Sequence, residues 1–329
     1  MHRTRLTTLL VALLALAAVL AFAAGCGGDS DEPAAEAAQV AELTAEEIVA
    51  QSEQAMQDIA SASFNVDLSI KVEGDPSEAS DPQAQALMQS PMTLKASGAS
   101  SDDPVAADLS MTFGLMGQNI KMEMRAKDEQ AWVAYEDQWY KVPAEDSKNA
   151  TGQLSEGALP TEQLKDVGLD PNEWELTWEL VGTEDLGGTQ VYHVRGTADA
   201  AKFAESLMKA LDDPQLAEKL GADAAQQLQG TRAQSEKELK QLQKALEDVS
   251  VDTWYEVETF YLRKVDAKAA FDMTGLEDAE GMTAMDFTML VELDGFNEPV
   301  EVEAPKDAQP LEKLMEAMFG GMSLDGMDF

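Results

Sequence analysis

The chain has 329 residues, a formal net charge of -39 and one cysteine. So acidic a protein repels polyanions, which excludes nucleic acid as a partner, and one cysteine excludes an intramolecular disulfide or a thiolate metal cluster. After the amino-terminal segment the only histidine is His193, so neither a multi-histidine metal site nor a histidine-based catalytic triad is expected. We therefore predict no catalytic residue, no metal and no cofactor. The acidic residues are spread along the chain and predict a solvated surface.

Residues 1–25 have the form of a secretory signal, with early arginines, an apolar run and small residues before Cys26. The segment Ala23-Ala24-Gly25-Cys26 resembles the bacterial lipobox, which implies that Cys26 carries a diacylglycerol. Residues 26–42 are small and acidic and predict a flexible tether, which favours a lipid anchor on the outer face of the bacterial cell membrane. A plain transmembrane anchor or an ordinary cleaved signal is the alternative, since the apolar run is nearly long enough to span a bilayer.

A single domain is predicted over residues 43–329, beginning with a helix. Thr44 and Glu47 have the spacing of a capping box, and apolar residues at helical spacing continue to about Ser61. Alternating apolar and polar residues then predict a run of strands. These strands are placed at residues 64–72, 92–96, 109–113, 120–124, 131–135, 138–142, 174–182 and 190–196.

The second half of the chain changes from strands to helix and back. Residues 200–249 are rich in Ala, Leu, Gln, Glu and Lys and predict a helical insertion. Strands are predicted to resume at residues 251–262, 265–273, 283–293 and 300–302, before an amphipathic helix at 311–319. So many consecutive strands predict an α+β fold in which a curved antiparallel sheet is covered by helices on its concave face. The space between sheet and helices is either a filled core or a ligand cavity.

The lipobox, the tether, the first helix and the meandering strands together resemble the LppX/LprG group of actinobacterial lipoproteins, related in fold to LolA. Local similarities are residues 138–142 (QWYKV), 188–195 (GTQVYHVR) and 254–264 (WYEVETFYLRK). The resemblance implies a half-barrel of antiparallel strands closed by helices. It also implies a cavity that carries acylated lipids, as in several members of the group.

Methionines recur on one parity of the predicted strands: Met92, Met111, Met122, Met124, Met273, Met285 and Met289. Unbranched thioethers adapt to irregular apolar shapes, so this pattern suits a cavity for flexible acyl chains. A packed core filled by methionine is the alternative. Trp174 and Trp178 share a strand face and add an aromatic lining to the predicted hydrophobic ligand site, with ordinary packing as the alternative. His193 lies mid-strand with no evident partner and is interpreted as structural.

These patterns predict a non-enzymatic, membrane-anchored extracytoplasmic lipoprotein that binds or transports lipids or other hydrophobic ligands. Its expected partners are that ligand and the membrane, reached through lipidated Cys26. The alternative is a surface-exposed sensor or scaffold lipoprotein that binds a protein partner and has no lipid cavity. A cavity lined by the methionines separates the two hypotheses. A hydrolase is disfavoured, because the sequence places no nucleophile beside a base.

Overall fold

The structure is a computed structural model that describes residues 43–80, 82–115, 117–135, 137–144, 146–147, 176–198, 202, 245–274 and 281–314. Among these residues lie two helices, α1 (Ala45–Gln57) and α2 (Pro82–Gln89). The strands of the described residues are β1 (Ser61–Gly74), β2 (Met92–Asp102), β3 (Val105–Leu115), β4 (Gln118–Lys127), β5 (Gln130–Tyr135), β6 (Gln138–Lys141), β7 (Thr177–Leu186), β8 (Thr189–Thr197), β9 (Leu246–Glu256), β10 (Leu262–Asp272), β11 (Met282–Asp294) and β12 (Gln309–Pro310).

All these strands form one sheet, in the order β12-β6-β5-β4-β3-β2-β1-β11-β10-β9-β8-β7. Neighbours are antiparallel, except that β12 runs parallel to β6. The sheet is therefore two meanders, β1–β6 and β7–β11, joined where β1 pairs with β11. It is curved and stays open, because its end strands β12 and β7 do not pair with each other.

Helix α1 begins where the capping box predicts. The Thr44 hydroxyl accepts from the Glu47 backbone N–H at 3.2 Å, and the Glu47 carboxylate accepts from the Thr44 N–H at 2.8 Å. These bonds satisfy two amides that have no partner within the helix. Ile48 and Val49 on the inner side of α1 are buried against Val194 of β8. The helix is thus fixed on the sheet near β7–β9.

Helix α2 is absent from the sequence-based prediction. It starts at Pro82, whose fixed φ and missing N–H suit the first position of a helix. Leu87 is buried, and Met88 packs beside it, on the core cluster that β1, β10 and β11 build. Both helices therefore lie on the same face of the sheet.

The predicted fold class is confirmed: the structure is an α+β half-barrel, a large curved antiparallel sheet with few helices among the described residues. The first helix also begins as predicted, and turns at Gly117 and at Gly187-Gly188 join β3 to β4 and β7 to β8. Both glycines of the latter turn have positive φ, at 62° and 96°, which glycine adopts without strain.

Several predicted boundaries are wrong. Strand β9 begins at Leu246, inside the range predicted as helix, because the helix-favouring residues around it are overridden by pairing with β10. The predicted strand at residues 251–262 is interrupted by the turn that separates β9 from β10. Residues 300–302, also predicted as a strand, are not one. Most of the predicted insertion and closing helix, the signal, the tether and Cys26 lie outside the described residues.

Candidate functional site

The strand register places the predicted methionines on one side of the sheet. Directly paired residues share a face, and one row of paired positions crosses nine strands. From β4 to β7 this row is Ile120, Phe113, Leu94, Leu68, Met289, Ala267, Val251, Gly196 and Trp178. We call this side the apolar face.

The other methionines of the prediction lie in neighbouring rows of the same face. Met111 of β3 lies opposite Met122 of β4, and Met92 of β2 lies opposite Ile70 of β1. Met124 pairs with Leu109 and Val133, and Met285 pairs with Val72 and Phe271. Met273 follows β10 directly and packs in the same cluster. The register therefore brings all seven methionines to one face.

One half of this face is packed solid. Met273, Met285 and Met289 expose only 1–2% of their surface and are buried with Phe287 and Ile70. Buried side chains of this kind touch protein atoms on all sides, so these thioethers fill a core. We call the part of the apolar face on β1, β9, β10 and β11 the packed half.

The other half of the face is open. Met92, Met111, Met122 and Met124 on β2–β4 are only partly buried, and Met92, at the boundary, also packs against the core cluster of the packed half. Beside them Phe113 and Ile120 expose 37% and 46% of their surface. We call the part on β2, β3 and β4 the open half. The same residue types thus lie on one continuous face and differ only in what covers them.

Trp178 lies on β7, at the edge of the apolar face that is farthest from β4. Trp174 lies outside the described residues. The Trp178 ring lies over Gly196, where a Cβ would be only 2.5 Å from Cζ3 of the ring. Glycine is required there because only a bare backbone accepts a ring so close. Trp178 also packs against the cluster formed by Ile48 of α1 and Tyr255. Its surroundings are therefore those of a core residue.

Buried polar groups lie beneath α1. Ser52 and Glu53 are buried on the inner side of this helix, above Tyr255 of β9. Burial raises the pKa of the Tyr255 hydroxyl, a hydrogen bond with Thr253 lowers it, and the charge of Glu53 raises it further; the net direction is upward. The phenol therefore stays protonated and neutral inside the apolar cluster.

An open groove of about 410 Å³ lies on the opposite side of the sheet. Its polar lining is formed by Asn65, Asp67, Lys95, Ser97, Ser110, Thr112 and Glu292. These residues alternate with those of the apolar face, so the groove belongs to the polar face. The Lys95 ammonium and the Asp67 carboxylate form an exposed ion pair of 2.7 Å at its margin. This groove is not lined by the methionines.

His193 has partners that the sequence analysis missed, and the interpretation that it has none is wrong. Its Nε2 lies 2.7 Å from Oδ1 of Asp252, and its Nδ1 lies 3.2 Å from Oε1 of Glu184. Its ring stacks on Trp254 with centroids 4.6 Å apart. The indole N–H of Trp254 also donates to Glu184. The register of β7, β8 and β9 creates this cluster, which is on the polar face.

Asp252 is the centre of the cluster. The Arg195 guanidinium donates to its Oδ1 at 2.8 Å, while Lys264 lies 4.4 Å above the Trp254 ring. Burial raises the pKa of Asp252, but hydrogen bonds and charges from Arg195 and His193 lower it, and the net pKa is below its usual range. The carboxylate is therefore ionised and held on both sides. This arrangement fastens β8 to β9 and offers no nucleophile.

Within the described ranges, no group of three His, Cys, Asp or Glu side chains is placed to hold a metal ion. Nor does any helix in that part of the chain have the length and apolar composition needed to cross a membrane.

A protein family described as a family of unknown function (DUF6612) matches residues 44–177. No curated protein matches the chain. Among solved structures, the chain is similar to the lipoprotein LppX of Mycobacterium tuberculosis, with 16% identity over 77% of this chain and 94% of that chain and a TM-score of 0.33.

LprF of Mycobacterium bovis is also similar, with 12% identity over 79% of this chain and 96% of that chain and a TM-score of 0.38. A putative outer membrane lipoprotein-sorting protein domain of Vibrio parahaemolyticus matches with 8% identity over 78% of this chain and 93% of that chain, at a TM-score of 0.20. Of these proteins, LppX belongs to the group that the sequence resembles.

Proposed function

We propose that this chain is an extracytoplasmic lipoprotein that binds the acyl chains of a lipid or a similar hydrophobic ligand on the open half of its apolar face. Met92, Met111, Met122 and Met124 contact the ligand. The packed half, with Met273, Met285 and Met289, forms the rigid support beside the site. Trp178 borders the same apolar face, and Trp174 stays a prediction from its sequence spacing.

The observation that carries this proposal is the gradient of burial along one row of paired residues. Leu68 and Met289 in the middle of the row are buried, while Phe113 and Ile120 at its end are exposed. Soluble proteins rarely leave contiguous apolar surface in water, and such patches mark binding sites. Flexible, polarizable methionines adjoin the exposed residues, and they adapt to chains of variable shape.

The ligand is apolar and its binding is driven by area removed from water rather than by ion pairing. Burying apolar surface contributes about 25 cal/mol per Å². The strongly acidic chain opposes anionic head groups at long range. An acyl chain satisfies both conditions, since it can occupy the open half while its head group stays in solvent.

Ligand binding is tested with the chain from Gly27 onward, which contains every residue that the structure describes. Co-purified lipid is extracted with organic solvent and identified by mass spectrometry, and uptake of a fluorescent fatty acid is measured. In the variant M111E/M122E we expect affinity to fall at least about tenfold, because carboxylates in the site oppose an apolar chain. The matched control M111L/M122L keeps the apolar volume and retains binding.

Two results would contradict the proposal. One is wild-type protein that contains no lipid and takes up no fatty acid, which favours the alternative of a sensor or scaffold that binds a protein. The other is uptake that is equal in M111E/M122E and M111L/M122L. Both variants are checked for an unchanged unfolding transition, so that loss of uptake reports on the site.

Membrane anchoring through Cys26 is a separate part of the proposal. The full chain is expressed in bacteria supplied with an alkyne-labelled palmitate, and incorporation is detected on the purified protein. We expect label in the wild type and none in Cys26→Ser, because no other thiol exists in the chain. Equal label in both proteins would show that the lipobox resemblance is misleading.

A further inference from the structure

One end of the open half carries no charged residue. Residues 82–94 and 110–120 contain no Asp, Glu, Lys or Arg, although such residues make up 26% of the chain. The first segment is α2 with the start of β2, and the second is the β3–β4 hairpin as far as Ile120. Thr93 pairs with Gly114, and a Cβ on Gly117 would lie 3.8 Å from the Ser90 hydroxyl. The two segments thus adjoin, and we call them the uncharged end.

The uncharged end also concentrates exposed apolar surface. Among the described residues four large hydrophobic side chains are exposed, and three of them, Phe113, Leu115 and Ile120, stand at the tip of the β3–β4 hairpin. Leu115 exposes 41% of its surface. The fourth, Val181, lies on β7, the strand at one edge of the sheet, far from the hairpin. Single exposed hydrophobic residues are ordinary, but a cluster at one tip indicates a contact surface.

The charges around this end restrict what can cover it. Neighbouring segments at the same end of the sheet carry exposed Glu73, Asp75 and Asp137. Lys71 pairs with Glu73, and Lys121 lies 4.0 Å from Asp137, so these local charges largely offset each other, while the chain as a whole is strongly acidic. An anionic surface would be repelled by the net charge. The tip itself adds only uncharged side chains, such as Gln118 and Asn119, which enter a polar head-group layer without the cost of burying a charge.

We propose that the uncharged end docks on the surface of a zwitterionic lipid bilayer, with Phe113, Leu115 and Ile120 of the β3–β4 hairpin inserted among the lipids. Apolar side chains at the acyl boundary contribute binding in proportion to the area that they bury. Phe113 and Ile120 belong at the same time to the open half of the apolar face. Docking therefore brings that half to the bilayer, and it requires neither the acyl group on Cys26 nor a bound ligand.

The first experiment measures binding without the lipid anchor. The chain from Gly27 onward is floated with phosphatidylcholine vesicles, and we expect the wild type to rise with them. In F113T/L115T/I120T, partition falls at least about tenfold, because three apolar insertions are lost while strand-favouring residues are kept. The control Val181→Thr, an exposed hydrophobic residue on β7, partitions as the wild type does. Equal partition of all three proteins overturns the proposal.

The second experiment keeps the three hydrophobic residues intact. The chain from Gly27 onward has no cysteine, so Gln118→Cys gives a single labelling position at the tip. Gln130→Cys gives a control on β5, where Gln130 pairs with Lys127 at the opposite end of β4. An environment-sensitive dye at position 118 shifts to the blue on addition of phosphatidylcholine vesicles, and the dye at position 130 does not. No shift at either position, or the same shift at both, overturns the proposal.

Two further measurements distinguish a zwitterionic bilayer from an anionic bilayer and from a second copy of the chain as the partner of this surface. Replacing part of the phosphatidylcholine by phosphatidylglycerol weakens binding, and added salt restores it, since the net charge opposes an anionic surface. Light scattering in the absence of vesicles gives a monomer; a wild-type dimer that F113T/L115T/I120T converts to monomer would assign the tip to a second copy and overturn bilayer docking. Fatty acid uptake without vesicles tests the proposed function separately, since it does not depend on flotation.

Discussion

The two halves of the apolar face are built from the same kinds of residue and have different roles. Phe287 and Met289 in the packed half touch neighbouring strands and the cluster beneath α2, whereas Phe113 and Met122 in the open half face partly into solvent. Strand alternation is identical in both. Alternation therefore determines which side of the sheet a residue faces, while its burial depends on which other parts of the chain pack over that side.

The largest expected effect is the difference in stability between alanine variants of two phenylalanines on this face. Phe287→Ala removes a fully buried ring and leaves a cavity, so the free energy of unfolding falls by about 3–5 kcal/mol. Phe113→Ala removes a ring that is already partly in water, and we expect a loss of about 1 kcal/mol or less. Urea unfolding of both variants measures the difference. Similar losses for the two would mean that the open half is as tightly packed as the other.

A smaller effect tests whether tight packing extends to β7 and β8. Gly196→Ala places a methyl group 2.5 Å from the Trp178 ring and 2.9 Å from its Cε3 atom, so the ring must shift. We expect a loss of about 1–3 kcal/mol in the free energy of unfolding.

The double variant G196A/W178L serves as the control, because a smaller side chain accepts the new methyl group. Its loss should be less than the sum of the two single losses. Strict additivity would show that the ring and the glycine do not constrain each other.

Two ion pairs on the polar face differ in their burial. Asp252 is buried between Arg195 and His193, so Asp252→Asn should cost about 1–3 kcal/mol at pH 7. The pair of Asp67 with Lys95 is exposed, so Asp67→Asn should cost about 0.5 kcal/mol or less. Urea unfolding of both variants at pH 7 compares them, and an equal cost would contradict the assigned difference.

The pH dependence of Asp252 follows from the direction of its pKa. Because the folded-state pKa lies below the unfolded value, the ionised carboxylate adds stability above about pH 4, and that stability is lost as the pH falls through the folded pKa. Wild type and Asp252→Asn should therefore differ at pH 7 and converge towards pH 3. A gap that stays constant over this range would contradict ionisation as the source.

Local signals predicted much of the fold. Thr44 and Glu47 marked the start of α1, and alternating residues marked most strands, because these features depend on neighbours within a few positions. Helix α2 was missed since its eight residues begin with Pro82 and read as a turn-rich link. The start of β9 was misassigned because Leu246 follows a helix-favouring segment, and only pairing with β10 makes it a strand.

The sequence predicted which face of the sheet carries the methionines, but not which part of that face is exposed. The seven methionines do share a face, but nothing local distinguishes buried Met289 from partly exposed Met111. The partners of His193 were missed for the same reason. Asp252 lies 59 residues away along the chain and becomes its neighbour through the β8–β9 register. Long-range pairing of this kind leaves no signal in a single sequence.

A modest effect is expected at the helix that covers one side of the apolar face. Thr44→Ala removes the hydroxyl that accepts from the Glu47 N–H, so the first turn of α1 loses its cap and the free energy of unfolding falls by about 1 kcal/mol. Thr44→Ser keeps the oxygen and should lie near the wild type. Urea unfolding compares the three proteins, and hydrogen exchange follows the amides of Val194 and Tyr255 beneath the helix. Faster exchange there in Thr44→Ala alone would show that α1 helps to close this side, whereas equal stability of Ala and Ser variants would mean that packing by Ile48 holds the helix without its cap.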